Sequence, residues 1–565
     1  MRMPPFFEVT DWLLENGFQA PEFGVLRADH DRFKTAIFQP SAELSVDETG
    51  VRATADQSGK FLTFLSTALS EHADIAITPE YSCPWKVVRE AIETDVLPPA
   101  SAIWVLGCES ITWADLEAFT RGFPNIHWQY EDLSRAPGNF LNPLCYLFRA
   151  VNAQGALQTV GIIQFKSRPC SDGKLFIERN HMINGSRLYR FSYHRRPIFL
   201  CTLICSDAFN NAWTNAITSD VHSPYLLLHI QLNPAPRNVP FTAFKNPLFT
   251  LGNSDRDLIS VNWARGTQVL DLTLFDSYSV WQTQSPASVV RKTPAHITQN
   301  HRFGIYVSRW DAFKAFSYSF NTEEHVFIVQ STKPSQAGAA QALRGRTGVE
   351  AERTLSWNVQ SSTFVDSRPD DGFGPIDATY GFLAQFLQPP DIVQLERSLV
   401  LLSGKFAQHS LTEIENLSSF CLSNDEYQGR LCHTHDPSDY AVEFRRTAYS
   451  RAGVIPQILS QPDLLPPGLK ALAPNGWVYN NPHSSPHYTI SNRDESIRAL
   501  VVYLGEEVMD GDFRNAWDRN WNFMPEGTRH LLVMCSRKNG VLISEYEIPT
   551  FNEPDDDFSN SILRV

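Results

Sequence analysis

The chain has 565 residues, of which 42% are hydrophobic and 19% are charged, proportions that are typical of a globular protein. This length predicts two to three domains. The formal net charge of −14 argues against general electrostatic binding to nucleic acid. Residues 1–8 lack the apolar core of a secretion signal, and no run of about 18 apolar residues occurs anywhere, so we expect a cytoplasmic protein without a membrane span.

The number and spacing of the cysteines and histidines indicate whether disulfides or metal sites are expected. Nine cysteines are scattered without a paired framework, which indicates a reducing compartment and a free thiol. Residues 432–436 and 483–487 carry histidines, but the first segment lacks a paired Cys-x-x-Cys. Prolines beside both histidines of the second segment exclude the helix that would align them. We therefore predict neither a metal nor another cofactor.

The first part of the chain alternates strand-like and helical stretches. Residues 1–29 are predicted as a helical extension, because their apolar positions cluster between residues 6 and 18. From residue 30 to about 330, strand-like runs alternate with helical stretches such as 58–72. The small, polar residues that follow at 331–340 indicate a domain boundary.

Three apolar runs in this part end in a chemically active residue. Residues 74–81 read as a strand that ends at Glu80, and residues 160–166 read as a strand that ends at Lys166. The third run, 197–205, ends at Cys205. A lone cysteine is usually a small buried hydrophobe, but strand ends in a layered fold can converge on one pocket.

The three residue types form a workable hydrolytic set. A thiol needs a base or a cation to become a thiolate, and Glu80 could take its proton and later return it to a leaving amine. Lys166 could stabilise the anion that forms when the thiolate attacks a C=O or C≡N carbon. The product would be a covalent thioester or thioimidate that water then releases.

These residues and their order resemble the nitrilase superfamily of carbon–nitrogen hydrolases, whose triad is Glu-Lys-Cys. Further segments resemble the family's core strands, and the likeness covers roughly residues 30–330. It implies an α/β fold, an αββα sandwich with Glu80, Lys166 and Cys205 as catalytic residues, a small-molecule amide or nitrile substrate, and a homodimer or a higher homo-oligomer. The segments that carry the likeness are 34–40, 103–107, 142–147, 152–155, 185–191, 226–234 and 259–266.

The chain departs from the family pattern at two places. The family has a second glutamate roughly eight residues after the lysine, which helps to position substrate. Here the next glutamate is Glu178, twelve positions after Lys166, so either an insertion intervenes or Glu178 is a surface residue. Ser206 stands where the family has an aromatic residue, and its backbone N–H could share the oxyanion with Lys166.

Several residues near the triad could contact a substrate. Four aromatic side chains could either line a pocket or pack in the core: Tyr81, Trp85, Phe209 and Trp263. A local cluster of four arginines between the lysine and the cysteine favours a planar or anionic amide as substrate, although a solvated face is the simpler interpretation: Arg187, Arg190, Arg195 and Arg196.

The C-terminal part resembles no family that we can identify. Residues 331–354 are predicted as a linker and 355–565 as an additional α+β domain, which could bind a protein partner. Within it, 392–420 reads as a helix, and the runs 498–504 and 531–535 read as buried strands with a helix between them that carries Trp517 and Trp521. No Ser-Gly-Gly-x-Asp-Ser loop occurs, which argues against a glutamine-dependent NAD synthetase.

Two hypotheses about function follow. The first is a thiol hydrolase that cleaves a non-peptide C–N bond, an amide above all, through an acyl-enzyme on Cys205. The second is a catalytically idle nitrilase-like scaffold or effector in a multi-protein system, for example one of antiviral defence. The intact triad favours the first.

Overall fold

A computed structural model defines the fold as two compact units. The first unit comprises residues 1–371 with 427–442, and the second comprises 372–426 with 443–565. The structure describes residues 6–27, 31–170, 176–193, 198–220, 222–233, 238–251, 256–271, 279–282, 288–291, 303–310, 315–334, 348–369, 453–465, 467–479, 488–524 and 526–545.

The first unit is built mainly from strands, with helices between them. Its strands are β1 (Phe6–Glu8), β2 (Arg32–Gln39), β3 (Glu43–Asp47), β4 (Gly50–Ala53), β5 (Ile75–Ile77), β6 (Ile103–Gly107), β7 (His127–Tyr130), β8 (Pro143–Val151), β9 (Leu157–Phe165), β10 (Leu188–Phe191), β11 (Phe199–Ile204), β12 (Tyr225–Ile230), β13 (Arg256–Val261), β14 (Gln268–Asp271), β15 (Ser279–Gln282), β16 (Ser288–Arg291), β17 (Ile305–Trp310), β18 (Ala315–Phe320), β19 (His325–Thr332), β20 (Glu350–Asn358) and β21 (Thr363–Asp366). Its helices are α1 (Val9–Glu15), α2 (Ser58–Ser70), α3 (Trp85–Glu93), α4 (Trp113–Arg121), α5 (Phe176–His181), α6 (Asn211–Ser219) and α7 (Asn238–Thr250), and a 3₁₀ helix spans Cys205–Phe209.

These strands form two large sheets and one small one. The nine-stranded sheet has the order β21-β20-β19-β2-β5-β6-β8-β9-β7, and the eight-stranded sheet has the order β1-β10-β11-β12-β13-β16-β18-β17. The central strands β5, β6, β11, β12 and β13 are buried on both faces, as expected where a sheet is covered from two sides, and all except β13, which begins with Arg256 and Asp257, are largely apolar. The small sheet has the order β15-β14-β3-β4.

Helices cover the outer face of each large sheet, which gives the four αββα layers. Buried side chains of α2, α3 and α4 share one apolar cluster with β2, β5 and β6, and those of α6 and α7 share another with β11, β12 and β13. The inner faces meet at Gln164 on β9, whose side-chain amide donates to the Thr202 carbonyl on β11 at 2.8 Å. This buried bond holds the strand that ends at Lys166 against the strand that ends at Cys205.

The predicted boundaries of this unit differ from the observed ones at both ends. Strand β1 pairs with β10, so the N-terminal segment joins the eight-stranded sheet instead of forming a helical extension alone. The predicted linker 331–354 contains the end of β19 and the start of β20, which pair with each other. Continued pairing satisfies the backbone groups of β19 that would otherwise be exposed at a sheet edge, and the unit extends to Asp371.

The described part of the second unit is a mixed sheet packed on helices. Its elements are α8 (Val454–Ser460), α9 (Pro467–Leu472), β22 (Trp477–Tyr479), β23 (Ile490–Asn492), β24 (Arg498–Glu506), α10 (Asp510–Phe523), β25 (Leu532–Lys538) and β26 (Val541–Glu545). The two predicted strands are β24 and β25, which pair in parallel, and α10 between them carries Trp517 and Trp521 as predicted.

Two predictions lie outside the described residues: the helix at 392–420 and the histidine segments 432–436 and 483–487. Among the helices that the structure describes, none is both long and apolar enough to cross a membrane.

Candidate active site

Glu80 lies in a tight turn after β5, held close to the next strand. Tyr81, the following residue, has a φ of +60°, in the left-handed region. The turn packs so closely on Gly107 that a Cβ there would meet the Pro79 carbonyl oxygen at 2.0 Å. Glycine is therefore required at the end of β6 for the Glu80 turn to sit where it does.

The Glu80 carboxylate is fully buried and accepts three hydrogen bonds. Its Oε1 accepts from Lys166 Nζ at 2.8 Å and from Asn142 Nδ2 at 2.7 Å, and its Oε2 accepts from the Leu232 backbone N–H at 2.7 Å. The backbone carbonyl of Glu80 accepts from Trp263 Nε1 at 2.8 Å. Four separate segments of the chain thus fix this carboxylate in position.

Lys166 follows β9 and lies between two carboxylates. Besides Glu80, its ammonium contacts both carboxylate oxygens of Glu178, at 2.7 and 2.8 Å. Glu178 is 1% exposed and is carried by α5, so it is not the surface residue that its sequence position allowed. The hydroxyl of Tyr81 and the backbone N–H of Cys170 also donate to Glu178, at 2.6 and 2.7 Å.

Cys205 begins the 3₁₀ helix that follows β11. Its φ is +44°, a conformation that L-amino acids other than Gly, Asn and Asp rarely adopt, and 8% of its surface is exposed. A sharp left-handed turn lifts a side chain out of the plane of its sheet, as in nucleophile elbows. Within the described residues the thiol makes no hydrogen bond to Glu80 or Lys166. Glu80 and Lys166 nevertheless lie near enough for their charges to shift the pKa of the thiol.

Electrostatics couples the three side chains. Burial raises the pKa of the Cys205 thiol well above its usual range, the charge of Glu80 raises it further, and Lys166 opposes both. Burial also raises the pKa of Glu80, against the opposing effect of Lys166. For Lys166, burial lowers the pKa, but Glu178 and Glu80 more than compensate and keep the ammonium charged. At neutral pH the resting site therefore holds a protonated thiol beside a buried cation.

The hydrogen bonds of Lys166 constrain its chemical role. An ammonium has three N–H donors, and all three contacts of this one go to carboxylate oxygens. Lys166 would thus stabilise an oxyanion near Cys205 through its charge. The direct hydrogen bond to that oxyanion would come from another donor. The Ser206 N–H is suited to this, since among the described residues no acceptor outside its own 3₁₀ helix takes it.

Of the remaining residues predicted to contact substrate, some hold the turns of the site in place and others pack in the hydrophobic core. Ser206 donates its hydroxyl to the Arg168 carbonyl, and Trp263, fully buried, supports the Glu80 turn. Of the two alternatives for Trp85, the structure shows core packing, edge-on against Phe119 beneath α3. Phe209 likewise packs against the apolar cluster under α6 and α7.

The arginines on the segment before Cys205 are engaged elsewhere. Arg190 forms an ion pair with Glu8 and lies over the Phe6 ring at 4.2 Å, and Arg187 lies over the Phe7 ring at 5.3 Å. These contacts attach β1 to its sheet, so the two arginines do not support an anionic substrate. Arg195 and Arg196 lie outside the described residues.

Sequence reasoning missed three buried polar residues around the site. Asn142 donates to Glu80, and its carbonyl accepts the Lys166 N–H at 3.0 Å. Asp207 lies in the Cys205 turn and accepts from the Arg168 N–H, and His229 contacts the Cys205 carbonyl. In the sequence, each of them is a polar residue within or beside an apolar strand. That pattern indicates a buried polar group but does not predict which residue it contacts. The part of the chain that the structure describes contains no group of three or more His, Cys, Asp or Glu residues placed to hold a metal.

Comparison with known proteins gives structural neighbours only. No protein-family model matches the chain, and no curated protein matches it. Solved structures that it resembles include the glutamine-dependent NAD+ synthetase from Acinetobacter baumannii, with 14% identity, a TM-score of 0.31, and coverage of 66% of this chain and 56% of that one. The chain thus spans just over half the length of the synthetase.

A second neighbour is an amidase from Nesterenkonia sp. AN1, described as a member of the nitrilase superfamily. One mutant of it, with the acetamide moiety of fluoroacetamide added at the active-site cysteine, has 11% identity, a TM-score of 0.30 and coverage of 57% of this chain and 97% of that one. A cysteine-to-alanine mutant has 11% identity, a TM-score of 0.29 and the same coverage. The structural neighbours of this chain thus include nitrilase-superfamily amidases at low identity.

Proposed function

We propose that the first unit is a thiol hydrolase that cleaves a non-peptide C–N bond, an amide above all. Cys205 is the nucleophile, Glu80 the general base and acid, and Lys166 the cation that stabilises the oxyanion. The single observation that supports this most is the buried Glu80–Lys166 pair, whose charges both act on a thiol held in a left-handed turn. Perturbed titratable groups gathered in this way mark functional sites.

Acylation follows from the positions of the protons. As the Cys205 sulfur attacks the carbonyl carbon, its proton passes to Glu80, and the C=O electron pair moves to oxygen beside Lys166 and the Ser206 N–H. The C–N bond then breaks, and Glu80 returns the proton to the leaving nitrogen, which departs as ammonia or an amine. Because burial raises the pKa of the thiol, proton transfer must accompany C–S bond formation rather than precede it.

Deacylation uses the same base. Glu80 takes a proton from water, the hydroxide adds to the thioester carbon, and the C–S bond breaks as the thiolate recovers a proton. The carboxylic acid product leaves with the oxygen of that water. A fixed base with both oxygens hydrogen-bonded can act in both half-reactions without moving, which lowers the reorganisation cost.

Trapping the acyl-enzyme tests this proposal. Wild-type protein and Cys205→Ala would be incubated with a panel of neutral and anionic amides, nitriles and a metabolite mixture, with substrate loss and intact mass as readouts. We expect an acyl adduct on the wild type and on Cys201→Ala, and none on Cys205→Ala. Cys201→Ala is the matched control, since that thiol lies four residues earlier and is fully buried on β11. Adducts that persist in Cys205→Ala, or none on any protein, would contradict the hydrolase.

The idle scaffold is the second candidate, because the Cys205 thiol has a raised pKa and makes no hydrogen bond among the described residues. It predicts that iodoacetamide alkylates Cys205 slowly at neutral pH, at the rate of an ordinary buried thiol, and that Glu80→Gln does not slow the reaction, since the Glu80 charge raises the pKa of that thiol. The hydrolase predicts that Glu80→Gln slows this alkylation at least tenfold, because the general base that takes the thiol proton is lost. Equal or faster alkylation of Glu80→Gln than of the wild type would favour the scaffold.

A further inference from the structure

The turn that carries Cys205 is attached to the lysine segment by Asp207. The Asp207 side chain is fully buried, and its Oδ1 accepts from the Ser167 N–H at 2.9 Å, the Ser167 hydroxyl at 2.8 Å and the Arg168 N–H at 3.0 Å. Ser206 donates its hydroxyl to the Arg168 carbonyl beside these bonds. Because Ser167 directly follows Lys166, one carboxylate oxygen fixes the distance between the nucleophile turn and the oxyanion cation.

A second buried side chain contacts the same turn from β12, the neighbouring strand of β11 in the sheet. His229 on β12 is fully buried, and its Nε2 lies 2.9 Å from the carbonyl oxygen of Cys205. A carbonyl oxygen only accepts, so Nε2 carries the proton in this bond. Burial lowers the pKa of His229 to about 4, so the imidazole stays neutral and the bond persists at neutral pH.

This bond fixes the orientation of the peptide that follows the nucleophile. A trans peptide is planar, so its C=O and its N–H point in opposite directions. With the Cys205 carbonyl directed towards His229, the Ser206 N–H is directed away from β12. The left-handed φ of Cys205 is a strained backbone conformation that the surrounding structure must hold in place.

We propose that His229 and Asp207 are positioning residues of the hydrolytic site: His229 orients the Ser206 N–H as the direct oxyanion donor, and Asp207 sets the Cys205 turn against the Lys166 segment. This inference rests on the proposed function above. Neither side chain touches the reacting atoms. Their loss should therefore impair different steps, with His229 acting on the oxyanion and Asp207 acting on the placement of the thiol.

Two kinds of covalent probe, an alkylating agent and aldehydes, separate thiol placement from oxyanion stabilisation without knowledge of the substrate. Iodoacetamide alkylates the thiol by displacement of iodide and forms no oxyanion, so its rate reports thiol placement. Butyraldehyde and benzaldehyde react with the thiol at their carbonyl carbon: a C–S bond forms, the π electron pair of C=O moves to oxygen, and the thiol proton passes to Glu80, so their affinity reports the oxyanion site. Aldehyde affinity is measured as protection of Cys205 from iodoacetamide, read by peptide mass spectrometry on the full-length chain.

For His229→Ala we expect aldehyde affinity to fall at least tenfold while the alkylation rate stays within threefold of wild type. His229→Gln keeps an N–H donor at a similar reach and should restore most of the affinity. His325→Ala is the matched control, because His325 is also buried on a strand, and burial likewise lowers its pKa to about 4. Unchanged aldehyde affinity in His229→Ala, or no aldehyde protection of the wild type, would overturn the inference.

For Asp207→Ala we expect alkylation itself to slow at least tenfold, whereas Asp207→Asn keeps the Oδ1 acceptor and should stay within threefold of wild type. If Asp207→Ala does not fold, Ser167→Ala removes one of the three hydrogen bonds and should slow alkylation by about threefold. Alkylation at the wild-type rate in Ser167→Ala and Asp207→Ala would refute the role of Asp207. Aldehyde protection in a protein that acylates with no amide would defeat the hydrolase and leave the positioning inference intact.

Discussion

The two sides of the site are stabilised in different ways. On the nine-stranded sheet, Glu80, Lys166 and Glu178 form a buried network of charge-assisted hydrogen bonds. On the eight-stranded sheet, Cys205 has no side-chain hydrogen bond among the described residues, and only its backbone is held, in a left-handed conformation. The first side thus depends on charge pairing and the second on backbone geometry, so mutations on the two sides should reduce stability or reactivity for different reasons.

Removal of the central cation should have the largest effect. Lys166→Met leaves Glu80 and Glu178 buried side by side without a counter-charge, and breaking a buried pair in this way costs about 3–5 kcal/mol. The loss should shrink as the pH falls, because Glu80, whose pKa burial raises, then becomes protonated. The measurement is urea unfolding at pH 5 and pH 8.

The matched control for this variant is Lys86→Met, which breaks an ion pair with Asp56 whose side chains are 64% and 63% exposed. Exposed pairs contribute less than about 1 kcal/mol, so this variant should unfold almost like the wild type. Equal losses in the two lysine variants would mean that the buried network contributes no special stability.

The pH dependence of stability should change most at Asp207. Burial raises the pKa of Asp207 to about 7, against the hydrogen bonds of Ser167, from about 3.9 in an unfolded chain. The folded state therefore holds the proton more tightly, and the stabilisation is complete below about pH 4 and lost as the pH rises through 7. The wild type should lose up to about 1.4 kcal/mol per pH unit relative to Asp207→Asn across this window.

Asp366→Asn provides a control of opposite sign, since the hydrogen bond from Arg353 lowers the pKa of Asp366. Any stabilisation from that group is present above its unfolded pKa and is lost as the pH falls. Chemical unfolding from pH 4 to pH 8 measures both variants. A wild-type curve parallel to that of Asp207→Asn would show that Asp207 does not titrate in this range.

Crowding of the Glu80 turn should have an intermediate effect. In Gly107→Ala the new Cβ meets Pro79 backbone atoms at 2.0 and 2.6 Å, so the turn must move, and overpacking of this kind costs about 1–3 kcal/mol. Acylation should slow as well, because the base moves with its turn. Gly59→Ala, where nothing lies within 4 Å of the new Cβ, should be neutral or slightly stabilising. Thermal unfolding compares the two.

The smallest effect concerns backbone strain at the nucleophile. Cys205→Gly should be more stable than Cys205→Ala by about 1 kcal/mol, because glycine accepts a φ of +44° without the Cβ penalty. At Cys201, inside β11, the order should reverse, since glycine weakens a strand. Denaturation midpoints of the four variants test this, and the same order at both sites would exclude strain at Cys205.

The sequence by itself determined the strands and the residues at their ends. Local apolar runs predict β5, β9 and β11 and, in the second unit, β24 and β25, because burial on both faces of a sheet requires such runs. The residue types at the strand ends, Glu80, Lys166 and Cys205, indicated hydrolytic chemistry. Each of these signals is local, because it spans only a few consecutive residues.

Tertiary structure alone decided which of the polar residues meet. Glu80 is hydrogen-bonded by groups 62, 86 and 152 positions away in sequence. Such contacts depend on how sheets pack, and no local pattern encodes them. For this reason Glu178 could be read as a surface residue, Arg190 as a substrate contact, and His229 passed unnoticed inside an apolar strand, until packing of the two sheets gave each side chain its partners.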